Sequence, residues 1–585
     1  MDIKFEQLEP SSLWLPDYFK KEEVDILGKI ARMLISHEDI YETQFTLADL
    51  KTALSSLPRE GVLIACSIFA IALSVRDGSN SHVQRELAAQ FFPKQKLSRI
   101  NDLLSKNRLL FFEHQLISLA KTATVWCQNE TATLTQDQIS IFARCLLGIN
   151  DLLHRDFGGK KLESTKGQVS FFFNTFDINF PTWNTFGTQL GRLEQLWNTD
   201  SGLVYKYAEK MGLDLKHEFI LATGNLTIDE FIAMSFALVA YYLRFIKSKA
   251  EWPRPNVMLS QMFKNASPES IQDYENLMCV ENISQMGKPN DAFFFTDFTV
   301  FRQKPFIRLR DGSIIPVSLN LLCSKISESI YWILHQRFSG DKSHIHLLTS
   351  AFGQAFEEYA RGLVSWARPL ICQGLPTVHF DVPYLKGQKK STDIILEYPA
   401  SLIFLEVTAS RSRLATKSQG DIDEIKAYLE KTILVKSRKI NKSIQDFRNG
   451  LMDLQLEPFS HEQRILPVIV LYSDIPMVPP VWAFIEEIFK KNRAQLDESL
   501  TIISAEELEL LTAMIQRGFS LEQLIIEMHD SLLYRHLNIR NFLLDKLDGT
   551  KIINNFVFSS FEERAKSVLL RFFPERKGAM LESCV

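Results

Sequence analysis

The sequence predicts a multidomain α+β protein: a mostly α-helical N-terminal half, then an α/β core with a central mixed sheet flanked by helices, then a helical tail. Three observations predict it. A chain of 585 residues exceeds what one hydrophobic core supports. Helical apolar periodicity runs from Pro10 to about Leu147, whereas two β-rich runs, TDIILEY and LIFLEVTAS, abut around Pro399-Ala400. A long amphipathic stretch follows them, and after it ILPVIVLYS is a short continuous apolar run that reads as a buried strand. The chain divides into a helical domain over 1–150, a helical domain with a β-hairpin near 298–318 over 151–345, the α/β core over 346–520 and a helical tail over 521–585.

In the first domain EEVDILGKIARMLISH, TLADLKTALSSL and SRINDLLSKNRLLFFEHQLISLAKTATVW read as helices. Thr46 and Ser98 are the N-caps, because a hydroxyl can accept the free N–H groups of a first turn. No fixed-period repeat marks a solenoid. The passage HRDFGGKKLESTKGQVSFFFNTFDINFPTW reads as loop-rich, and its Gly158-Gly159-Lys160 lacks the G-x-x-x-x-G-K-[ST] frame of a phosphate loop, so no NTPase is expected. Helix returns in GTQLGRLEQLW and TIDEFIAMSFALVAYYLRFIKSKAEW. In FIRLRDGSIIPVS, Asp311-Gly312 between β-type residues is a hairpin signal. The helix SKISESIYWILHQRF leads into SGDKSHIH, where His344 and His346 read as loop residues without a third ligand.

The chemistry concentrates in Ser391 to Arg411. Pro cannot sit in a central strand, so Pro399-Ala400 reads as the turn of a hairpin. With Tyr398 facing Ser401, Glu397 pairs with Leu402, Ile395 with Phe404, and Asp393 with Glu406. Cross-strand neighbours lie about 4.5–5.5 Å apart at Cβ, and like charges placed so destabilise the pair unless a cation is shared between them. Thr408 joins the two acids on one face, with Ile403, Leu405 and Val407 on the other. Carboxylate oxygens suit a hard ion such as Mg²⁺ or Mn²⁺; a solvated hairpin with two surface acids is the alternative.

The flanking helices add to this. FGQAFEEYARGLV carries the apolar stripe Phe352, Phe356, Tyr359 and Leu363, which leaves Glu357 on the side of Gly353 and Ala360, able to lean over a sheet, and points Glu358 away. Asp421 to Phe447 reads as one long helix with Leu429, Ile433, Ile440, Ile444 and Phe447 buried and Lys436 in the gap of that stripe. A lysine there either snorkels or delivers a cation to a site between helix and sheet.

This order of helix with Glu, strand, strand with Asp, strand with Glu-x-Thr, helix with Lys and strand resembles the PD-(D/E)xK nuclease superfamily, the restriction-endonuclease-like fold, over roughly Leu347 to Tyr472. The resemblance implies a nuclease that hydrolyses phosphodiester bonds with Mg²⁺ or Mn²⁺ held by Asp393 and Glu406, and with Glu357 as the acid of the first helix. Thr408 stands where the family usually has Lys. Some members carry that lysine on the following helix, and Lys436, or Lys439 one turn on, fits such a relocation. Without it, the fold implies an inactive adaptor that binds nucleic acid or a protein partner.

Composition sets the remaining bounds. The net charge of −4 gives no global attraction to nucleic acid, but Lys386 to Lys442 holds 12 Lys and Arg against 7 Asp and Glu, a local excess of +5. Lys389, Lys390, Arg411, Arg413 and Lys439 are therefore the candidate contacts to a nucleic acid, DNA before RNA. The seven cysteines are scattered without a C-x-x-C pair, which points to a reducing cytoplasm and away from zinc. MDIKFEQLEP carries no signal pattern, and the longest apolar runs fall short of the about 20 residues of a membrane span. The helical N-terminal half is expected to bind a protein partner or a second copy. A nuclease core joined to such a half resembles restriction or anti-phage defence components in layout.

Overall fold

The computed structural model describes residues 34–572 apart from 76–80, 107, 158–163, 180–184, 244–254, 281–285, 288–293, 372–376, 412–415, 417–419, 453, 455–463, 495–498, 532–533 and 548–551. The fold is mixed α/β with a mostly helical N-terminal half. Three apolar cores organise it. Helices between residues 35 and 152 enclose the first, which Phe294, Phe298 and Ile315 complete from much later in the chain. The other two lie on opposite faces of a five-stranded sheet.

Local chemistry explains most of the N-terminal helices. Thr46 caps the Leu47–Ser55 helix through a reciprocal pair of bonds with Asp49. Ser98 is not a cap: it lies inside the Lys94–Ser105 helix, which starts after Pro93. The single helix expected through Trp126 is broken before Glu113–Trp126. At the break the buried Gln84 amide accepts the N–H groups of Leu110 and Phe111 and donates to the Phe111 carbonyl, and Ile35 donates to the Leu109 carbonyl. An extended segment whose backbone groups are satisfied in this way has no need of helix. The passage read as loop-rich holds the Thr165–Asn179 helix, where Ser164 accepts the Gly167 N–H and Val169 and Phe173 bury into the sheet's outer core.

A small sheet contains β1 (Cys279–Val280), parallel to β2 (Phe306–Arg308), which pairs antiparallel with β3 (Ile314–Pro316) through the turn at Asp311 and Gly312. Gly312 has φ +83°, the left-handed conformation that favours glycine. The Leu319–Arg337 helix follows, and then the Lys342–Ile371 helix. His344 and His346 belong to this second helix and not to a loop, because Asp341 accepts the N–H groups of Ser343 and His344 and starts the helix there.

The main sheet is built from β4 (Thr377–Phe380), β7 (Ile394–Glu397), β8 (Ser401–Thr408), β9 (Arg464–Leu471) and β10 (Thr501–Ser504), with a minor hairpin of β5 (Pro383–Tyr384) and β6 (Lys389–Lys390) beside it. Its order is β10-β9-β8-β7-β4; β8, β9 and β10 are parallel, and β7 and β4 antiparallel to their neighbours. Alternation along the strands separates the faces. Ile394, Leu396, Ile403, Leu405 and Val407 meet the Lys342–Ile371 helix and a core shared with residues 190–278 and the Asn555–Phe572 helix. Ile395, Leu402 and Phe404 meet the helical stretch 422–448 and the Pro479–Lys491 helix. Among the described residues no single helix is long and apolar enough to cross a membrane, and the apolar Ile228–Leu243 helix is buried in the core.

Candidate active site at the ends of three strands

The hairpin register is the one the turn implies. Tyr398 donates to the Ser401 carbonyl at 2.8 Å, and the pairs run Glu397 with Leu402, Ile395 with Phe404 and Ile394 with Leu405. One further step puts Asp393 opposite Glu406. On the other side of β7, β4 pairs Phe380 with Ile394, so the next step sets Asp381 opposite Asp393, where the Asp381 N–H reaches the Asp393 carbonyl at 3.3 Å. Asp381, Asp393 and Glu406 thus form a row of acids across three adjacent strands. Glu406 is 0% exposed and Asp393 6%.

Each acid is held differently. Asp393 Oδ2 accepts the Val407 N–H at 2.7 Å, which fixes its carboxylate against the backbone of β8. Glu357 reaches the row from the Lys342–Ile371 helix and accepts from Arg361, whose guanidinium also lies 2.7 Å from Asp381 Oδ2. One oxygen each from Glu357, Asp381 and Asp393 lie within 4.8 Å of one another, an all-oxygen set of the kind hard divalent cations take. Asp381 has no counterpart in the sequence reading. It adopts φ +43°, which Asp tolerates better than most residues, between β4 and β5. The signal that could have found it is the register of TVHF against IILE.

Two lysines close the row on the outer face. Lys436 Nζ donates to Glu406 Oε1 at 2.7 Å and lies 3.4 Å from the Val407 carbonyl. Lys439 Nζ bridges Glu406 Oε1 at 2.7 Å and Asp393 Oδ1 at 3.2 Å. The helix that carries them is not regular: Glu430–Leu434 forms one wide π turn, in which the Val435 N–H bonds to the Glu430 carbonyl. The Thr432 hydroxyl takes the Tyr428 carbonyl at 2.5 Å, and Thr432, Ile433 and Leu434 are buried in succession, one more than a narrow helical stripe would bury.

Burial raises the pKa of Glu406, the Asp393 charge adds to it, and the two ammonium groups oppose both. Burial likewise raises Glu357, with Asp393 pushing the same way against Arg361. For Lys439 burial works against the charged form, but Glu406 and Asp393 outweigh it and hold the pKa above the usual range. Among the described residues Glu406 Oε2 is buried without a hydrogen-bond partner, and so is Arg361 Nε.

The other expected residues are dispersed. Thr408 Oγ1 accepts the Ser410 N–H at 3.4 Å and its carbonyl accepts from Tyr472, a strand-end role. Glu358, expected to point away from the packed face, pairs with Lys206 at 2.6 Å because the Leu203–Lys210 helix covers that side. Lys389 pairs with Asp446 at 3.2 Å, while Lys390 is 69% exposed and 3.5 Å from Asp381, free to turn to a phosphate. Arg413 lies outside the described residues. Arg411, expected on a polyanion surface, turns inward instead. Its guanidinium lies 4.2, 3.9 and 4.3 Å from the ring centres of Tyr331, Phe352 and Tyr472, and its nitrogens are shielded from solvent. Stacking on three aromatic faces explains that choice over water.

No protein-family model matches the chain, and no curated protein matches it in sequence.

Proposed function

We propose that the chain is a metal-dependent nuclease with a restriction-endonuclease-like core, acting on the phosphodiester bonds of DNA. The observation that carries this reading is the row Asp381, Asp393 and Glu406 across β4, β7 and β8, met by Glu357 from the helix before the sheet and by Lys436 and Lys439 from the helix after β8. The residues fit a divalent ion. Opposed oxygens around Mg²⁺ sit about 4.2 Å apart, twice the usual metal–oxygen distance. Neighbouring oxygens on such an ion sit about 3 Å apart, so closing from the observed limit of 4.8 Å asks for movements of up to about 2 Å shared among three side chains.

Glu357, Asp381 and Asp393 hold the ion in this reading, and an ion bound there supplies charge neutralisation and an acidified water at neutral pH. Val407 keeps Asp393 oriented through its N–H. Lys436 presents the positive charge that Thr408 cannot, and it is 27% exposed, so its ammonium is open to a phosphate on one side while Glu406 orients it on the other. Lys390 draws the polyanion in without touching the reacting atoms. The layout, a large helical region beside such a core, fits a restriction or anti-phage defence component.

A second reading, an inactive adaptor, is favoured by the observation that Arg361, Lys436 and Lys439 already match the acids. Cleavage separates the two. Supercoiled plasmid and single-stranded DNA are to be cut in Mn²⁺ or Mg²⁺ and spared in EDTA, and Asp393→Asn is to lower the rate by on the order of 10²-fold or more. Binding without cleavage of any DNA or RNA makes the adaptor the better account.

A further inference from the structure

The acids form two adjoining oxygen pockets that share Asp393. One contains Glu357, Asp381 and Asp393. The other lies between Asp393 and Glu406, and it is filled: Lys439 Nζ sits 3.2 Å from Asp393 Oδ1 and 2.7 Å from Glu406 Oε1. Lys436 contacts the same Glu406 oxygen but not Asp393. We infer that Lys439 is a built-in cation standing in the place of a second metal ion, so that the chain takes one divalent ion where its acids could hold two. This rests on the metal-dependent reading above.

Three observations carry it. The ammonium bridges two acids on neighbouring strands, the position in which a shared ion would cancel their repulsion. Glu406 is 0% exposed and its Oε2 is buried with no hydrogen-bond partner among the described residues, so this carboxylate keeps acceptor capacity beyond the two lysines on Oε1. Finally, the Lys439 side chain is 44% exposed, so it can be replaced without leaving a void in the packed core.

An ammonium and a divalent ion that need the same oxygens exclude each other, and each weakens the other's binding by the same factor. Removing the ammonium leaves the Asp393–Glu406 repulsion without its bridging cation in a shielded site, with only Lys436 on Glu406 to offset it. Such a pair takes a divalent ion in its place. Lys436 remains on Glu406 and does not block the bridging position.

The test is a calorimetric Mn²⁺ titration of the full chain, with bound Mn²⁺ counted by loss of the free-ion electron paramagnetic resonance signal. Wild type is expected to take one ion and Lys439→Met two, while Lys436→Met stays at one. Should Lys439→Met not fold, Lys439→Gln keeps the hydrogen-bond donors without the charge and carries the same expectation. Mn²⁺ is also to raise the melting temperature of the Lys439 variant more than that of wild type. An equal number of ions in wild type and the Lys439 variant, including none in either, overturns the inference, as does a second ion in Lys436→Met. Cleavage is read separately: a wild type that cuts DNA with unchanged stoichiometry in the variant sinks the inference alone. An altered stoichiometry without cleavage sinks the nuclease reading alone.

Discussion

Lys436→Met is expected to leave folding and metal binding intact and to lower DNA cleavage by on the order of 10²-fold or more, the usual consequence of losing one charge-stabilising group. The ammonium is anchored by Glu406 Oε1 at 2.7 Å and by none of Glu357, Asp381 and Asp393, so its loss does not open that cluster. Met keeps the apolar stem that crosses the helix surface. Lys439→Met is expected to have the smaller effect on turnover, because its contacts bind the acids to one another. Cleavage rates under single-turnover conditions, with Mn²⁺ affinity measured alongside, check this. A normal rate in Lys436→Met would mean that the lysine absent at Thr408 has not been replaced from this helix.

The second large effect lies far from the site. Glu113 opens the Glu113–Trp126 helix and is 6% exposed where the N-terminal core meets the Leu319–Arg337 helix. Ser318, the cap of that helix, donates its hydroxyl to Glu113, and the Asn320 amide donates at 2.5 Å. Burial raises the carboxyl pKa from 4.5 to about 7, against hydrogen bonds from the side chains of Ser318 and Asn320 and the Asn320 backbone, which lower it. A folded-state pKa above the unfolded one contributes stability that is fully present below the unfolded value, here 4.5, and is lost as pH rises through about 7. The loss is on the order of 3 kcal/mol. Glu113→Gln keeps one acceptor oxygen for the Asn320 amide, lets the Ser318 hydroxyl accept from the new amide N–H, and removes the charge. It is expected to match wild type at acid pH and to exceed it in stability, by several degrees in melting temperature, above pH 8. Parallel pH profiles for the two proteins would contradict the assignment.

What could be read from the sequence follows the range of the interactions involved. The β7–β8 register was legible because a two-residue turn fixes it and because a one-residue slip would carry Glu406 onto the apolar face that Ile403 and Leu405 fill. Lys436 was legible because its place in the apolar stripe of one helix aims it at the sheet, where it meets Glu406, but Lys439 was expected at a phosphate and its bridge between the acids was not foreseen. Asp381 escaped because only the pairing of β4 with β7, across residues 381–393, brings it beside Asp393. Arg411 escaped because its cage is assembled from three separate elements, which no local pattern announces. The Thr165–Asn179 helix was read as loop because its clustered phenylalanines give no helical period; packing of Val169 and Phe173 decides it instead.

In the proposed function, carboxylates from three elements converge on one catalytic metal ion. Anomalous scattering from crystals grown with Mn²⁺ tests it most directly. One strong peak is expected within about 2.0–2.3 Å of oxygens from Glu357, Asp381 and Asp393, with Lys439 still bridging Asp393 and Glu406. A saturating Mn²⁺ concentration that leaves those three carboxylates without a peak, with Arg361 still bridging Glu357 and Asp381, would contradict it.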